Sequence, residues 1–303
     1  MIFSFFLTLV SGISLMILVL TVSLLLIGGE NVLYDIQGTD ASLFAPYRRF
    51  LAGRCSDRCP PPLLYASCLC LLMIFLFIPM GSFPQFVETD GDFIVIVFLL
   101  LASQGLYIRG MKVFSGEIYQ SFDTKELFVL SKFAVTLIAV GGTLSWYALN
   151  RGMPGSIFSL ETFTATSIWT VTGMWGKMGS AAFLLLLFAA SPSRGVTKTR
   201  IVDNVQIPEI FDAIRSTLAP AMIVSFFFPA RLGLALGLIG FKMYLVDFVS
   251  VWFRVMLVQI VLAPLAAKLF NKARDKSPER PGHLPEMIIG ASGIIFYMLD
   301  LYM

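Results

Sequence analysis

The chain has 303 residues, 57% of them hydrophobic and 14% charged, and its mean hydropathy is +0.83. Soluble domains carry about 25% charged residues, so this balance excludes one and points to an integral membrane protein. The net charge of +3 comes with Lys and Arg gathered in particular connecting segments, which reads as membrane topology and excludes a nucleic-acid surface.

A hydrocarbon core about 30 Å thick needs roughly twenty helical residues, and runs that meet this need fall at 3–27, 62–83, 92–110, 126–149, 168–191, 209–230, 236–268 and 285–303. The first run lacks a basic leader and is too long for a cleaved signal, so it reads as a retained span. None of the runs alternates as membrane strands do, and helices satisfy their own backbone in lipid. The expectation is an all-α, polytopic membrane protein, a bundle of about eight transmembrane helices forming one domain over 1–303.

The loops give orientation. Arg48, Arg49, Arg54 and Arg58 follow the first run, Lys112 the third, Arg194, Lys198 and Arg200 the fifth, and Lys272, Arg274, Lys276 and Arg280 the seventh, whereas the even loops hold little basic charge. The positive-inside rule then makes the odd loops cytoplasmic and sets both termini outside. Segment 155–176, rich in Thr, Ser and Trp, reads in its first half as an interfacial helix or outer loop entering the fifth span.

Four cysteines, at 55, 59, 68 and 70, do not assemble a metal motif: Cys68 and Cys70 point to different helix faces, and the one histidine, His283, is remote.

Ionisable groups inside a bilayer cost about 2.5–3.5 kcal/mol each on insertion scales, so those within the runs stand out. The seventh carries Lys242, Asp247 and Arg254, and the fourth Glu126 and Lys132; Glu161 and Lys177 bracket the Thr/Trp segment, and Asp300 sits near the end of the eighth. Lys242 and Asp247, five apart, pair poorly, whereas Asp247 and Arg254 share a face. Asp212 and Arg215, three apart at the start of the sixth run, can pair locally. Pairing or snorkelling accounts most simply for Asp300, Lys177 and Arg215; Lys242, Glu126 and Asp247 have fewer bland explanations.

Lys242 and Arg254 at this spacing, with WFRVML around the arginine, resemble the seventh span of the eight-span membrane subunit at the junction of the two arms of complex I, subunit 1 or H. Ile36, Gln37 and Pro46 in the first loop, and Gly91, Asp92, Lys125 and Glu126 around the third span and its loop, fit the same family in order. The likeness is nearest to the corresponding subunit of energy-converting hydrogenases and formate hydrogenlyases.

That resemblance implies a non-catalytic membrane-anchoring subunit in the inner (cytoplasmic) membrane that links a soluble electron-transfer module to antiporter-like, ion-translocating subunits. Its partners would be hydrogenase-like large and small subunits and an iron–sulfur subunit, besides membrane lipid. No cofactor would be bound by this chain; nickel–iron and iron–sulfur centres or quinone would belong to the partners. Lys242, Asp247, Arg254, Glu126 and Lys132 would line a polar path, and Arg48, Arg49, Arg194, Lys198 and Arg200 the docking loops.

Departures from the family pattern matter. Its acidic cluster after the fifth span is replaced by SPSRGVTKTR, Arg49 stands where the family has Asp, and Ser131, Lys132 and Phe133 replace a later Glu. An acidic partner surface and an incomplete proton path follow. The alternative is a stand-alone secondary transporter, which predicts an inverted repeat with matched helix breaks; Pro220 and Pro264 have no early counterparts. A membrane-embedded enzyme would need a convergent catalytic set that one histidine does little to build.

Overall fold

The computed structural model describes residues 12–26, 29, 44, 61–79, 92–115, 123–153, 158–165, 167–190, 206–229, 231–262 and 284–303, and the regular elements among them are all helical. In chain order these are α1 (Gly12–Leu26), α2 (Pro62–Ile74), α3 (Asp92–Ser115), α4 (Asp123–Asn150), the short α5 (Leu160–Ala165) and α6 (Ile168–Val171), and α7 (Met174–Ala190). After these come α8 (Gln206–Phe227), the single turn α9 (Leu232–Ala235), α10 (Phe241–Leu257), which runs into a π-turn (Val258–Leu262), and α11 (Leu284–Tyr302).

Four helices among the described residues are long and apolar enough to cross a membrane, over Asp92–Phe114, Ser131–Asn150, Ile210–Phe227 and Phe241–Ile260, and α1, α2 and α7 are shorter apolar helices. The protein is therefore an all-helical membrane protein. The most apolar window of α8 is 83% buried within the chain and that of α10 only 33%. With little apolar driving force between helices in lipid, this places α8 at the packing centre and leaves a flank of α10 to lipid or a partner.

Local sequence explains the element ends. Pro62 occupies the first helical position of α2, where a missing N–H costs nothing, and Pro61 before it is extended. The expected seventh span begins at Phe241 instead of 236, because Gly237 and Gly240 adopt φ +67° and +66°, left-handed backbone that ends one turn and starts the next helix. The expected fifth span likewise begins at Met174, after short α5 and α6, in keeping with the interfacial reading of the Thr/Trp segment.

Helices approach closely where a side chain is missing. A Cβ on Gly110 would lie 2.8 Å from Leu64 of α2, one on Gly141 2.2 Å from the Phe93 ring, and one on Gly179 2.8 Å from Tyr297. These contacts bind α2 to α3, α3 to α4, and α7 to α11. Aromatic rings close the centre: Tyr107 stacks on Phe211 with centroids 4.0 Å apart, and Phe226 meets both Phe93 and Phe163 edge to face.

Candidate functional site

Buried polar side chains gather in separate clusters among the described residues. One is built on Asp300, which is 5% exposed. Its carboxylate accepts hydrogen bonds from Tyr147 Oη (2.6 Å), from the backbone N–H of Gly173 (3.1 Å) and Gly176 (3.0 Å), and from Arg151 Nη2 (3.1 Å). Arg151 Nη2 also donates to the Asp300 carbonyl, and its Nε donates to Tyr147 Oη at 3.1 Å.

The two glycines are what admit the carboxylate: a Cβ on Gly173 would stand 2.6 Å from Oδ1 and one on Gly176 2.9 Å from Oδ2. Both N–H groups belong to the start of α7, where the helix leaves donors without internal partners and its dipole favours an anion. Arg151, just beyond α4, is held above the ordinary guanidinium range chiefly by the Tyr147 hydroxyl. One turn deeper, Tyr297 Oη and Ser180 Oγ share a hydrogen bond at 2.5 Å, with the Tyr297 ring edge-on to Tyr147 at 4.8 Å.

Lys132 and Glu286 pair at 2.5 Å nearer the other end. The pairs Lys132–Glu286 and Tyr147–Asp300 make α4 and α11 parallel, tied at points about 22 Å apart along α4 at 1.5 Å per residue. Between the ties the buried side chains of α4 are Phe133, Ala134, Leu137, Val140, Leu144 and, two residues before Tyr147, the hydroxyl residue Ser145. That stretch offers no titratable group to carry a proton.

The seventh segment is organised differently. Asp247 is fully buried, and its Oδ1 accepts the Gly233 N–H at 2.6 Å, holding α9 against α10; a Cβ on Gly233 would lie 2.6 Å from the Met243 carbonyl oxygen. Arg254 Nη1 donates to the Phe228 carbonyl at 3.0 Å, and Trp169 Nε1 donates to the Phe227 carbonyl. Two side chains from separate elements thus cap carbonyls that the end of α8 leaves open.

Because α10 starts at Phe241, Lys242 lies in its first turn and is exposed. It sits amid the outward stripe Phe241, Leu245, Val249 and Phe253. Lys132, expected to line a polar path, pairs with Glu286 of α11. Glu126 falls in the first turn of α4 with its side chain outside the described residues, as are Arg48, Arg49, Arg194, Lys198 and Arg200.

At the start of α8, Asp212 and Arg215 pair at 3.3 Å, the local contact their spacing allows. Arg215, with a side chain 6% exposed, also lies over the Phe211 ring, its Cζ 5.9 Å from the centroid. Sequence reasoning missed the Asp300 cluster. The signal available was the pair of glycines flanking Met174–Trp175, opposite an acid at a helix end.

Among the described residues no group of three or more His, Cys, Asp or Glu could hold a metal ion. Cys68 is buried and Cys70 half-buried, and neither is in a disulfide. A scan of the chain against protein-family models finds no match, and a search of curated proteins finds no similar sequence.

Proposed function

We propose that this chain is a membrane-anchoring and coupling subunit of a multisubunit oxidoreductase of the complex-I-like, membrane-bound hydrogenase type. It crosses the inner (cytoplasmic) membrane eight times with both termini outside, and it fastens a soluble electron-transfer module to antiporter-like neighbours. Nickel–iron and iron–sulfur centres or quinone reside in the partner subunits.

The observation that carries this reading is the arrangement of α10. Twelve residues separate an exposed lysine, Lys242, in an outward apolar stripe from an arginine, Arg254, turned inward onto the end of α8. Such a helix presents one cation to a neighbour and another to its own core. A shift of the neighbour is thereby felt at the α8–α9 break. An ammonium in an apolar face favours a partner that brings a carboxylate.

The apolar face of α4 between its two ties supports coupling over conduction, and so do the family acids absent from the sequence. Arg48, Arg49, Arg194, Lys198 and Arg200 then face an acidic surface on the soluble module.

Purification from native membrane tests the proposal. The chain should elute with hydrogenase-like and iron–sulfur subunits, and elution alone would refute it. In the complex, Lys242→Met should lower ion-coupled activity or loosen the antiporter-like neighbours while hydrogenase-type electron transfer in the soluble module persists. Unchanged coupling after both Lys242→Met and Glu126→Gln would remove those residues from any path.

A further inference from the structure

The outward face of α3 changes chemistry along its length. At about 100° per residue, Ile94, Phe98, Leu101, Gly105, Arg109 and Lys112 fall within one arc of about 80°, and all are exposed. Apolar and small residues are thus followed by two cations on one line. α3 holds no acidic residue after Asp92 in its first turn, so neither cation is neutralised within the helix.

The cations stand at the level of a membrane boundary. α3 is apolar enough to cross over Asp92–Phe114, which puts Arg109 and Lys112 in the last two turns of the span. Leu64, in the first turn of α2, packs where Gly110 lacks a side chain, so the exposed Tyr65 stands at the same height. Aromatic rings mark the headgroup zone. From Arg109 back to Phe98 the helix rises about 17 Å, close to the depth of one hydrocarbon leaflet, about 15 Å.

Gly105 is an independent sign. Glycine inside a helix weakens it, and Gly110 and Gly141 offset this by admitting Leu64 and Phe93, but a Cβ on Gly105 would meet nothing within 4 Å. The chain's own packing does not use this notch, which opens outward one turn from Arg109.

We propose that this face binds an acidic phospholipid: Arg109 and Lys112 take the phosphate, and an acyl chain passes over Gly105 and lies along Leu101 and Phe98. A guanidinium offers parallel N–H donors to two phosphate oxygens. Two cations on one line select a headgroup of net negative charge over a zwitterionic one, whose own ammonium would be repelled. The site needs no particular orientation of the chain and no partner complex.

Native mass spectrometry of the purified full chain tests this, with phosphatidylglycerol and phosphatidylcholine added at equal concentration. Each basic residue beside an acidic headgroup is worth about fivefold in affinity, so phosphatidylglycerol should be retained at least about fivefold more. Arg109→Gln with Lys112→Gln should abolish the preference, whereas Lys177→Gln, which removes an exposed cation at the start of α7, should leave it in place. Gly105→Leu keeps both charges, has open space to occupy and should lower retention of the acidic lipid; it serves alone if the double variant does not fold. Equal retention of the two lipids overturns the proposal. So does a preference that survives the double variant, that Gly105→Leu leaves untouched or that Lys177→Gln removes equally. A double variant that keeps its lipid but sheds a protein from the native complex assigns the face to that protein and overturns the proposal as well.

Discussion

The cluster around Asp300 and the cluster around Arg215 are both buried and both hold an arginine and an aspartate, yet they are finished differently. Asp300 receives four partners from two other parts of the chain, the end of α4 and the start of α7, and Arg151 is bonded through Nε and Nη2. Arg215 meets its own neighbour Asp212 at 3.3 Å, and its Nε and Nη1 have no acceptor among the described residues. A polar network whose members are matched fixes a single arrangement; one with open valences keeps room for solvent or for movement. The Asp300 cluster is therefore a clamp, and the Arg215 cluster is the less constrained of the two.

Asp300→Ala should break this contrast most. It strands Tyr147, two N–H groups and a guanidinium, at a cost of about 3 kcal/mol once the partial exposure of Arg151 is allowed for. Thermal unfolding in detergent measures it, and Asp300→Asn should recover part of the loss. Gly233→Ala tests the site where Asp247 accepts the Gly233 N–H. Its Cβ would press on the Met243 backbone, and about 2 kcal/mol is expected from the forced separation of α9 and α10.

Lys132→Met should cost about 1 kcal/mol, since the pair with Glu286 is only partly buried, and the exchange Lys132→Glu with Glu286→Lys should restore some of it. Equal costs for Lys132→Met and Asp300→Ala would erase the difference between a tie and a clamp. Lys242→Met, on an exposed turn, should change stability of the isolated chain by less than about 0.5 kcal/mol. A larger loss would mean that Lys242 has a role in the chain's own packing.

Some of this was legible in the residues. Apolar runs and their breaks marked the helices because bilayer thickness imposes length, and Asp212–Arg215 could be read because a helix fixes what lies three residues away. The start of α10 was misjudged since Gly237 and Gly240 sit in apolar sequence, where hydropathy continues through a backbone that turns. Asp300 looked like an ordinary end-of-span acid because its side-chain and backbone partners stand 124 to 153 residues away, beyond any periodicity.

That separation has a consequence for biosynthesis. Gly176 leaves the ribosome 124 residues before Asp300, a delay of roughly 6–25 s at about 5–20 residues per second. Throughout that interval the start of α7 and the guanidinium of Arg151 have no carboxylate to receive them. Insertion of α11 is thus the event that completes the Asp300 cluster, and a nascent chain stalled before it would present open donors to whatever quality control patrols the membrane.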